Sequence, residues 1–417
     1  MRMSARVLQI EGQFLYIPGC MIVSFDDKAT HTTEVKIVRT SQGVNLGKLR
    51  DTHDIYKEVI HDVIGVEDAI QRLDETTHRP SRYGPWTLVW VSGLASVCVG
   101  PFAFDARPVD LPIAFILGCL LGWMQHIVAP KSDLYTNVFE VTAAIATSFF
   151  ARAFGSIRGG GVFCFSALTQ SSIALILPGY TVLCGSLELQ SRNLVAGSVR
   201  MVYAIIYSLF LGFGITIGTS FYGGIDKNAT SDTSCRTIMP FWWRFIFVPP
   251  FTLCLIVINQ GKWKQTPVMI TIAFIGYIVN YFSAQRFPTN VQIANTLGAL
   301  AVGVLGNLYS RLRHGLAAAA LFPAIYVQVP SGLAASGSLV SGLTSANQIT
   351  NEATNGTLSN GTTTISSATN GAGNINSMVF NVGYSMIQVA IGITVGLFLS
   401  ALVVYPFGKR RSGLFSF

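Results

Sequence analysis

Ten long apolar segments dominate this chain of 417 residues and restrict it to folds that a lipid bilayer can stabilise. A helix needs about 20 consecutive apolar residues to cross the hydrocarbon core of a membrane. The segments cover residues 87–106, 111–129, 134–154, 162–180, 194–222, 241–259, 266–284, 290–308, 315–335 and 378–405. Prolines and glycines interrupt the fourth and the ninth. The sequence therefore predicts an all-α polytopic membrane protein with about ten transmembrane helices.

Charge is distributed unevenly along the chain. Only 12% of the residues are charged, whereas soluble domains carry about 25%. Residues 1–85 contain 11 Lys and Arg against 12 Asp and Glu, and the remaining 332 residues contain 17 against 8. The positive charge thus lies in loops between apolar segments. A nucleic-acid-binding protein needs a clustered basic surface on a soluble domain, so we expect no nucleic-acid partner.

Residues 1–85 have the pattern of a small cytoplasmic α+β domain. Phe14–Phe25 and Glu34–Val44 are predicted strands. Apolar residues recur at helical spacing from Leu49 to Leu73, which predicts one amphipathic helix. The chain opens in what resembles the middle of a helix and lacks the pattern of a cleavable signal peptide. We therefore expect this domain to begin upstream of Met1, and the first apolar segment to serve as the targeting signal.

Loop charges and glycosylation sequons predict the orientation. With the N-terminal domain in the cytoplasm, the cytoplasmic loops contain nine Lys and Arg and the opposite loops contain six. This bias follows the positive-inside rule. Three N-x-[ST] sequons, at Asn228, Asn355 and Asn360, then all face away from the cytoplasm. Both signals predict cytoplasmic termini, in the plasma membrane or in a vacuolar or other endomembrane.

The chain also repeats itself. Prolines before or at the start of matching segments, a Thr-Asn-Val triplet and a Gly-Ile-Thr-x-Gly motif recur in the same order. The clearest pairs are Pro112 with Pro267, Thr136-Asn137-Val138 with Thr289-Asn290-Val291, and Gly214–Gly218 with Gly392–Gly396, at offsets of 155, 153 and 178 residues.

These matches predict two five-helix modules, residues 86–223 and 224–417. A polar stretch at residues 336–377, rich in Ser, Thr, Asn and Gly, is predicted to be a flexible loop that absorbs the larger last offset. Because five is odd, the second module enters the membrane from the opposite side. Inverted repeats are typical of secondary transporters, which bind their substrates near the middle of the membrane.

Three segments carry a family resemblance: Gln13–Gly19, Val59–Leu73, and Leu177-Pro178-Gly179-Tyr180. They resemble the threonine/serine exporter family, and most of all its fungal branch, the pheromone-regulated membrane proteins. The resemblance covers nearly the whole chain. It implies ten transmembrane helices in two five-helix modules and, for the bacterial members, amino-acid export driven by a proton gradient. It does not fix the substrate of the fungal branch.

Glu140 is the one carboxylate predicted to lie well inside a spanning helix. An ionisable side chain in a membrane costs free energy and usually serves a function. Glu140 shares a helix face with Asn137, so we expect Glu140 to take up the coupling proton with Asn137 beside it at the proton-coupling site. The alternative is that Glu140 lies about 9 Å from the cytoplasmic end of its helix, at 1.5 Å per residue, and simply reaches interfacial water.

The two interrupted segments place Pro178 and Gly179 opposite Pro330 and Gly332 in the predicted repeat. A broken helix is tolerated in a membrane only inside protein or around a water-filled cavity, so the two breaks are predicted to meet at the substrate. The predicted substrate contacts are Thr169, Gln170, Pro178, Gly179, Asn295, Pro330 and Gly332. The alternatives are packing kinks and polar links between helices.

Two arginines and one more asparagine are further candidates. Arg152 and Arg200 could pair with carboxylates or bind a substrate carboxylate, but both lie near predicted helix ends, where long basic side chains also reach the membrane surface. Asn280 is a polar residue within an apolar segment of the second module. Seven cysteines show no metal-ligand spacing and most lie in apolar runs. This argues against a disulfide framework and a metal site, and no cofactor is expected.

The sequence favours a secondary active transporter of small polar solutes, namely proton-coupled transport or export of amino acids such as threonine or serine, and not an enzyme. Its partners would be the amino acid, protons and the bilayer, with the oligomeric state left open. One alternative is a membrane-anchored, hydrolase-like enzyme in which Glu58 and His61 of the N-terminal domain act together. The other is a membrane sensor or scaffold that transports nothing.

Overall fold

A computed structural model describes residues 5, 8, 10–27, 32–39, 43–159, 161–191, 193–226, 229–230, 235, 239–288, 290–313, 315–335 and 387–406. Within these ranges the chain is mostly helical, with one small antiparallel sheet near the N-terminus. The sequons at Asn228, Asn355 and Asn360 and the polar stretch 336–377 lie outside the described residues.

The sheet contains three strands in the order β1 (Gly12–Ile17), β2 (Cys20–Asp27) and β3 (Thr32–Arg39). The single strand predicted over Phe14–Phe25 is therefore wrong, because it is a hairpin. Its two-residue turn is Pro18-Gly19, between the paired residues Ile17 and Cys20. Proline fixes its own φ, and Gly19 has a φ of +83°, a conformation that glycine adopts without a steric penalty.

The predicted single helix over Leu49–Leu73 is also two elements, α1 (Leu46–Ile60) and α2 (Val66–His78). The first helix ends where Asp62 takes up a left-handed conformation with φ +56°. Gly65 then precedes the second helix. A left-handed residue ends a helix, and glycine is a poor helix former, so these two positions outweigh the continuous apolar periodicity.

Eleven further helices lie in the described part of the membrane region. They are α3 (Pro85–Ala103), α4 (Leu111–Trp123), α5 (Asp133–Gly155), α6 (Phe165–Ile173), α7 (Gly179–Gln190), α8 (Leu194–Ile225), α9 (Phe241–Ile258), α10 (Thr266–Arg286), α11 (Val291–Arg313), α12 (Ala317–Ala335) and α13 (Ile387–Val404). Helix α4 continues through a π turn and a 3-10 turn as far as Lys131.

Eight helices among the described residues are long and apolar enough to cross a membrane, which confirms a polytopic, mainly helical membrane protein. They are α3, α4 with its extension, α5, α8, α9, α10, α11 and α13. Helices α6 and α7 form a bent pair that makes a ninth span if it crosses as one, and α12 has a shorter apolar stretch. Each predicted segment coincides with one of these elements, whereas the count of ten spans stays a prediction.

The fourth and ninth predicted segments differ from their expected form. The fourth does not end at residue 180, because α7 continues to Gln190 and includes Glu188. Glu188, two residues before the end of α7, is thus a second carboxylate in an apolar helical segment. The ninth has no break, since α12 runs through Pro330 and Gly332 to Ala335. Proline removes one backbone hydrogen bond, and continuing the helix keeps the other backbone groups paired in an apolar setting.

Four glycines bring the last helix of each predicted module against its third helix. A Cβ on Gly214 of α8 would lie 2.8 Å from Ala144 Cβ, and one on Gly218 would lie 2.4 Å from Ile145 O. Both partners belong to α5. Only glycine permits backbones to approach this closely, as in small-residue helix interfaces of membrane proteins.

Helices α13 and α11 make the same contacts. A Cβ on Gly392 would lie 3.4 Å from Asn295 Cβ, and one on Gly396 would lie 2.4 Å from Thr296 O. Asn295 and Thr296 follow Ala144 and Ile145 by 151 residues each. The contacts between the two helices therefore repeat in the second half with a constant shift of 151 residues. This shift is two residues smaller than the offset of 153 between the Thr-Asn-Val triplets.

A disulfide joins Cys164, just before α6, to Cys235, between α8 and α9. The expectation that no cysteines pair is therefore wrong. Their sequence separation of 71 residues left no local signal. The buried Asp110 carboxylate lies beside this bond and accepts hydrogen bonds from Cys164 N at 2.8 Å and from Arg107. These contacts fix the loops at the end of the helices remote from the N-terminal domain.

The glycine contacts predict that adding a single methyl group lowers the stability of the protein at some positions and not at others. Gly218→Ala should destabilise the protein by about 1–3 kcal/mol, the range for overpacking, because its Cβ would lie 2.2 Å from Ser148 Oγ. Gly212→Ala on the same helix is the matched control, since nothing lies within 4 Å of its Cβ. Thermal unfolding of the purified protein measures both, and equal melting temperatures for the two variants would contradict this packing.

Candidate functional site

A cavity of about 650 Å³ lies where α5, α7, α8 and α12 meet, beneath the β1–β2 turn of the N-terminal domain. Its wall contains one acidic and one basic side chain, Glu140 and Arg200. Four tyrosines also line it, namely Tyr180, Tyr203, Tyr207 and Tyr326. The cavity therefore combines opposite charges, hydroxyl groups and aromatic surface, as small-molecule sites commonly do.

The cavity exists because the helix breaks at Pro178, as the sequence predicted. Leu177 has an extended backbone with ψ 138°, the conformation that proline imposes on the residue before it. Helix α7 restarts at Gly179, and its axis is bent by 50° from that of α6. Residues Leu175–Pro178 line the cavity, so the irregular backbone faces polar space rather than lipid. That is the condition under which a membrane tolerates it.

Arg200 connects three elements at one edge of the cavity. Its Nε atom lies 2.9 Å from both carboxylate oxygens of Glu188 on α7, and Nη2 donates to the Tyr16 hydroxyl on β1. The guanidinium also lies 5.9 Å from the centre of the Tyr16 ring. Arg200 is only 8% exposed. It is thus a buried, paired cation in the cavity wall rather than a side chain that reaches the membrane surface from a helix end.

Glu140 is half-buried and forms no ion pair among the residues that the structure describes. It lies seven residues from the start of α5, about 10 Å along the helix axis. Thr136, one turn earlier, donates to Ala129 O at 2.8 Å and also lines the cavity. Nothing is described of the Asn137 side chain, so its predicted partnership with Glu140 stays a prediction.

Thr169 and Gln170 do not line this cavity. Both are buried within α6, where Thr169 Oγ1 donates to Phe165 O at 3.0 Å and Gln170 Nε2 donates to Ser166 Oγ at 2.7 Å. Gly179 faces α12, since a Cβ there would lie 3.3 Å from a methyl group of Val329. Of the residues predicted around the first break, Pro178 alone is a wall residue of the cavity.

Asn295 lies in a separate buried cluster of amides. Asn280 Nδ2 on α10 donates to Asn295 Oδ1 on α11 at 3.0 Å. A Cβ on Gly298 would lie 3.0 Å from Nε2 of the buried Gln328 on α12, so three helices meet here. Pro330 and Gly332 are two and four residues further along α12. Their surroundings are not described.

Several wall residues escaped the sequence analysis. Tyr203 and Tyr207 are two of them, and with Arg200, which was already a candidate, they are spaced by three and four residues and form a polar stripe along one face of α8. That spacing was a signal available in the sequence. No such signal marked Glu188 or Tyr16, because their contacts with Arg200 are tertiary. In the N-terminal domain, Glu58 accepts a hydrogen bond from Arg72 at 2.8 Å and so takes part in an ion pair.

Two family models together match most of the chain. A family described as "Putative threonine/serine exporter" matches residues 1–222, and one described as "Threonine/Serine exporter, ThrE" matches residues 244–403. The boundary between the two matches falls near the predicted boundary between the five-helix modules.

Similar proteins occur across fungi. The chain is 56% identical over its whole length to "Pheromone-regulated membrane protein 10" of Candida albicans (strain WO-1), of which it covers 37%. It is 58% identical to "Uncharacterized protein C7D4.12c" of Schizosaccharomyces pombe, of which it covers 54%. The chain thus spans about half or less of these relatives. No solved structure matches it.

Because the Arg200–Glu188 pair is mostly buried, removing its carboxylate should destabilise the protein more than removing the carboxylate of an exposed ion pair. Glu188→Gln should destabilise the protein by about 3–5 kcal/mol, because it leaves a mostly buried guanidinium uncompensated. Glu34→Gln, which removes an ion pair with Lys36 exposed by more than 60% on both sides, should cost less than about 1 kcal/mol. Thermal unfolding in the same detergent compares the two, and shifts of equal size would argue against a structural Arg200–Glu188 pair.

Proposed function

Because the chain belongs to the threonine/serine exporter family, we propose that it is a secondary active transporter that carries small neutral amino acids through the cavity at the helix break. The observation that carries this proposal is that Glu140 and Arg200 both lie in the wall of one cavity. An amino acid at neutral pH has an ammonium and a carboxylate group, so the two side chains complement its two charges. Threonine and serine also have a hydroxyl group that the wall tyrosines can hydrogen-bond.

The broken helix supports the same proposal. The first N–H groups of a helix have no partner within it and attract anions. Helix α7 starts at Gly179, directly after the wall residue Pro178, so its first N–H groups would favour an anionic group of the substrate at that end of the cavity. Glu140 has the opposite charge to Arg200. We propose that it binds the ammonium of the substrate or takes up the coupling proton.

The repeated glycine register supports a transporter built from two inverted modules. The contacts of Gly214 and Gly218 with α5 recur for Gly392 and Gly396 with α11 at a constant shift. A duplicated unit of five spans would place the second copy in the opposite orientation, the arrangement from which many secondary transporters derive alternating access. We propose the ten-span inverted repeat on this basis.

The disulfide supports an orientation. Disulfides persist in oxidising compartments and are rare in the cytosol. Cys164 and Cys235 lie at the end of the helices opposite the N-terminal domain. We therefore place that domain in the cytoplasm and the Cys164–Cys235 loops, with the sequon at Asn228, on the extracellular or lumenal side.

The charge pattern of the cavity predicts the substrate class. In proteoliposomes containing the purified protein, serine and threonine should be transported, whereas ethanolamine, which lacks the carboxylate, and lactate, which lacks the ammonium, should neither be transported nor compete. Arg200→Gln should raise the half-saturating concentration on the order of tenfold or more, the loss of a charged hydrogen bond. Arg244→Gln is the control, since Arg244 pairs with Asp105 and is not a wall residue. Equal transport of lactate and serine would refute the proposed substrate class.

Glu140 predicts how transport responds to a pH gradient. Glu140→Gln keeps the size of the side chain but cannot take up or release a proton. The variant should still exchange internal for external amino acid, while a pH gradient should no longer drive accumulation. Asp133→Asn, at the exposed start of the same helix, should accumulate like the wild type. A Glu140→Gln variant that still concentrates substrate on a pH gradient would exclude Glu140 from proton coupling.

The proposed orientation predicts which loops are accessible. Single cysteines placed beside Asn228 and beside Asn355 should react with an impermeant maleimide from the non-cytoplasmic side, and a cysteine at the exposed Ile70 in α2 only after permeabilisation. The denatured protein should gain two reactive thiols on reduction, from Cys164 and Cys235. Labelling of the Asn228 and Asn355 loops from opposite sides would eliminate the inverted ten-span arrangement.

A further inference from the structure

The N-terminal domain is attached to the second half of the membrane region. Leu46 N, at the start of α1, donates to Asn259 O at 2.9 Å, and Tyr83 N donates to Gln260 Oε1 at 3.2 Å. Asp51 forms an ion pair with Lys262. All three partners on the membrane side belong to the short loop between α9 and α10.

An apolar contact strengthens this attachment. The Leu46 side chain is 2% exposed and packs in one cluster with Ile256 of α9, Met269 of α10 and Phe322 of α12. A Cβ on Gly47 would lie 2.7 Å from Gln260 O, so the two backbones touch. Two hydrogen bonds, an ion pair and a buried leucine together attach the start of α1 to the second half.

The interface with the first half is of a different kind. Tyr16 contacts Arg200 of α8, as described above. Beside this contact lies an apolar cleft of about 680 Å³, lined by the N-terminal domain on one side and by α7 and the start of α12 on the other. Val59 lies on the domain side of the cleft and Leu187 on the α7 side. Protein interiors are close-packed, so a gap of this size leaves room for α1 and α2 to move relative to α7.

The N-terminal domain also contributes to the cavity itself. Pro18 of the β1–β2 turn, together with Gly43 and Val44 before α1, forms part of the cavity wall. The domain therefore lies over the mouth of the cavity on its own side of the membrane. A shift of the domain into the cleft would change the width of that mouth.

We propose that the N-terminal domain is the gate of the cavity on its side of the membrane, moving with the second half and closing against the first half at Tyr16 and Arg200. This inference rests on the proposed transport function. A substrate carboxylate bound to Arg200 shares the guanidinium with Tyr16, so occupancy of the cavity and the position of the domain are linked.

Cross-linking across the two interfaces tests the gate. One full-length variant carries Val59→Cys and Leu187→Cys, on opposite sides of the cleft. The other carries Asp51→Cys and Lys262→Cys, at the attachment. Both are made with the free cysteines replaced by alanine and Cys164–Cys235 retained. Each is joined by a short reducible bis-maleimide, and amino-acid flux is measured in proteoliposomes before linking, after linking and after reduction.

The short linker across the cleft should lower flux to the level of protein-free liposomes, and reduction or a long flexible linker should restore it. The linker at the attachment should leave flux at its unlinked value. Unchanged flux with the cleft linked, or loss of flux with the attachment linked, would overturn the gate. Absence of flux for every amino acid in the wild type would instead refute the proposed function.

A distance measurement tests the motion of the N-terminal domain independently of flux. Spin labels at Ile70→Cys on α2 and Leu194→Cys on α8, both exposed positions, report on the gate. Labels at Ile70→Cys and Trp263→Cys report on the attachment. The first pair should give a distance distribution that shifts when serine or threonine is added, and the second a single unshifted distance. A first pair that stays unshifted while serine or threonine is transported would rule out a moving domain.

Discussion

The break in the helix at Leu177-Pro178 is the constraint from which the candidate site follows. A backbone that leaves the helix in an apolar setting needs polar surroundings, and here the cavity between α5, α7, α8 and α12 supplies them. The restarted helix is held in place by the Arg200–Glu188 pair and by contact of Gly179 with Val329. The break at Pro178 thus determines where the cavity, its charged side chains and the start of α7 lie.

Close backbone approach is the second determinant of the fold. Glycines on α8 and α13 let these helices lie directly on α5 and α11, with the same register in both halves. Helix α5 therefore presents Glu140 to the cavity from a fixed position. The halves also meet at α3 and α9, where the rings of Phe102 and Phe251 lie 5.2 Å apart and the Tyr277 hydroxyl donates to Phe102 O at 3.1 Å.

Local signals in the sequence predicted the apolar helices and the break at Pro178, and they singled out Glu140, which lies in the cavity wall. They failed where geometry depends on distant residues. The Cys164–Cys235 bond, the Glu188–Arg200 pair and the Tyr16 contact join segments that share no local pattern. Apolar periodicity also concealed the end of α1 at Asp62, because a left-handed residue stops a helix whatever the spacing of its apolar side chains. The internal repeat led to one wrong prediction. Because Pro330 corresponds to Pro178 in the repeat, a second helix break was expected there, and α12 does not contain one.

The central claim is that the cavity holds the amino acid between Arg200 and Glu140. An electron cryo-microscopy structure of the full chain in lipid nanodiscs, with a saturating concentration of the amino acid that is transported best, tests it directly. We expect ligand density in the cavity, with the carboxylate against Arg200 and the ammonium towards Glu140. Density for the amino acid elsewhere in the protein, with this cavity free of ligand at saturation, would contradict it.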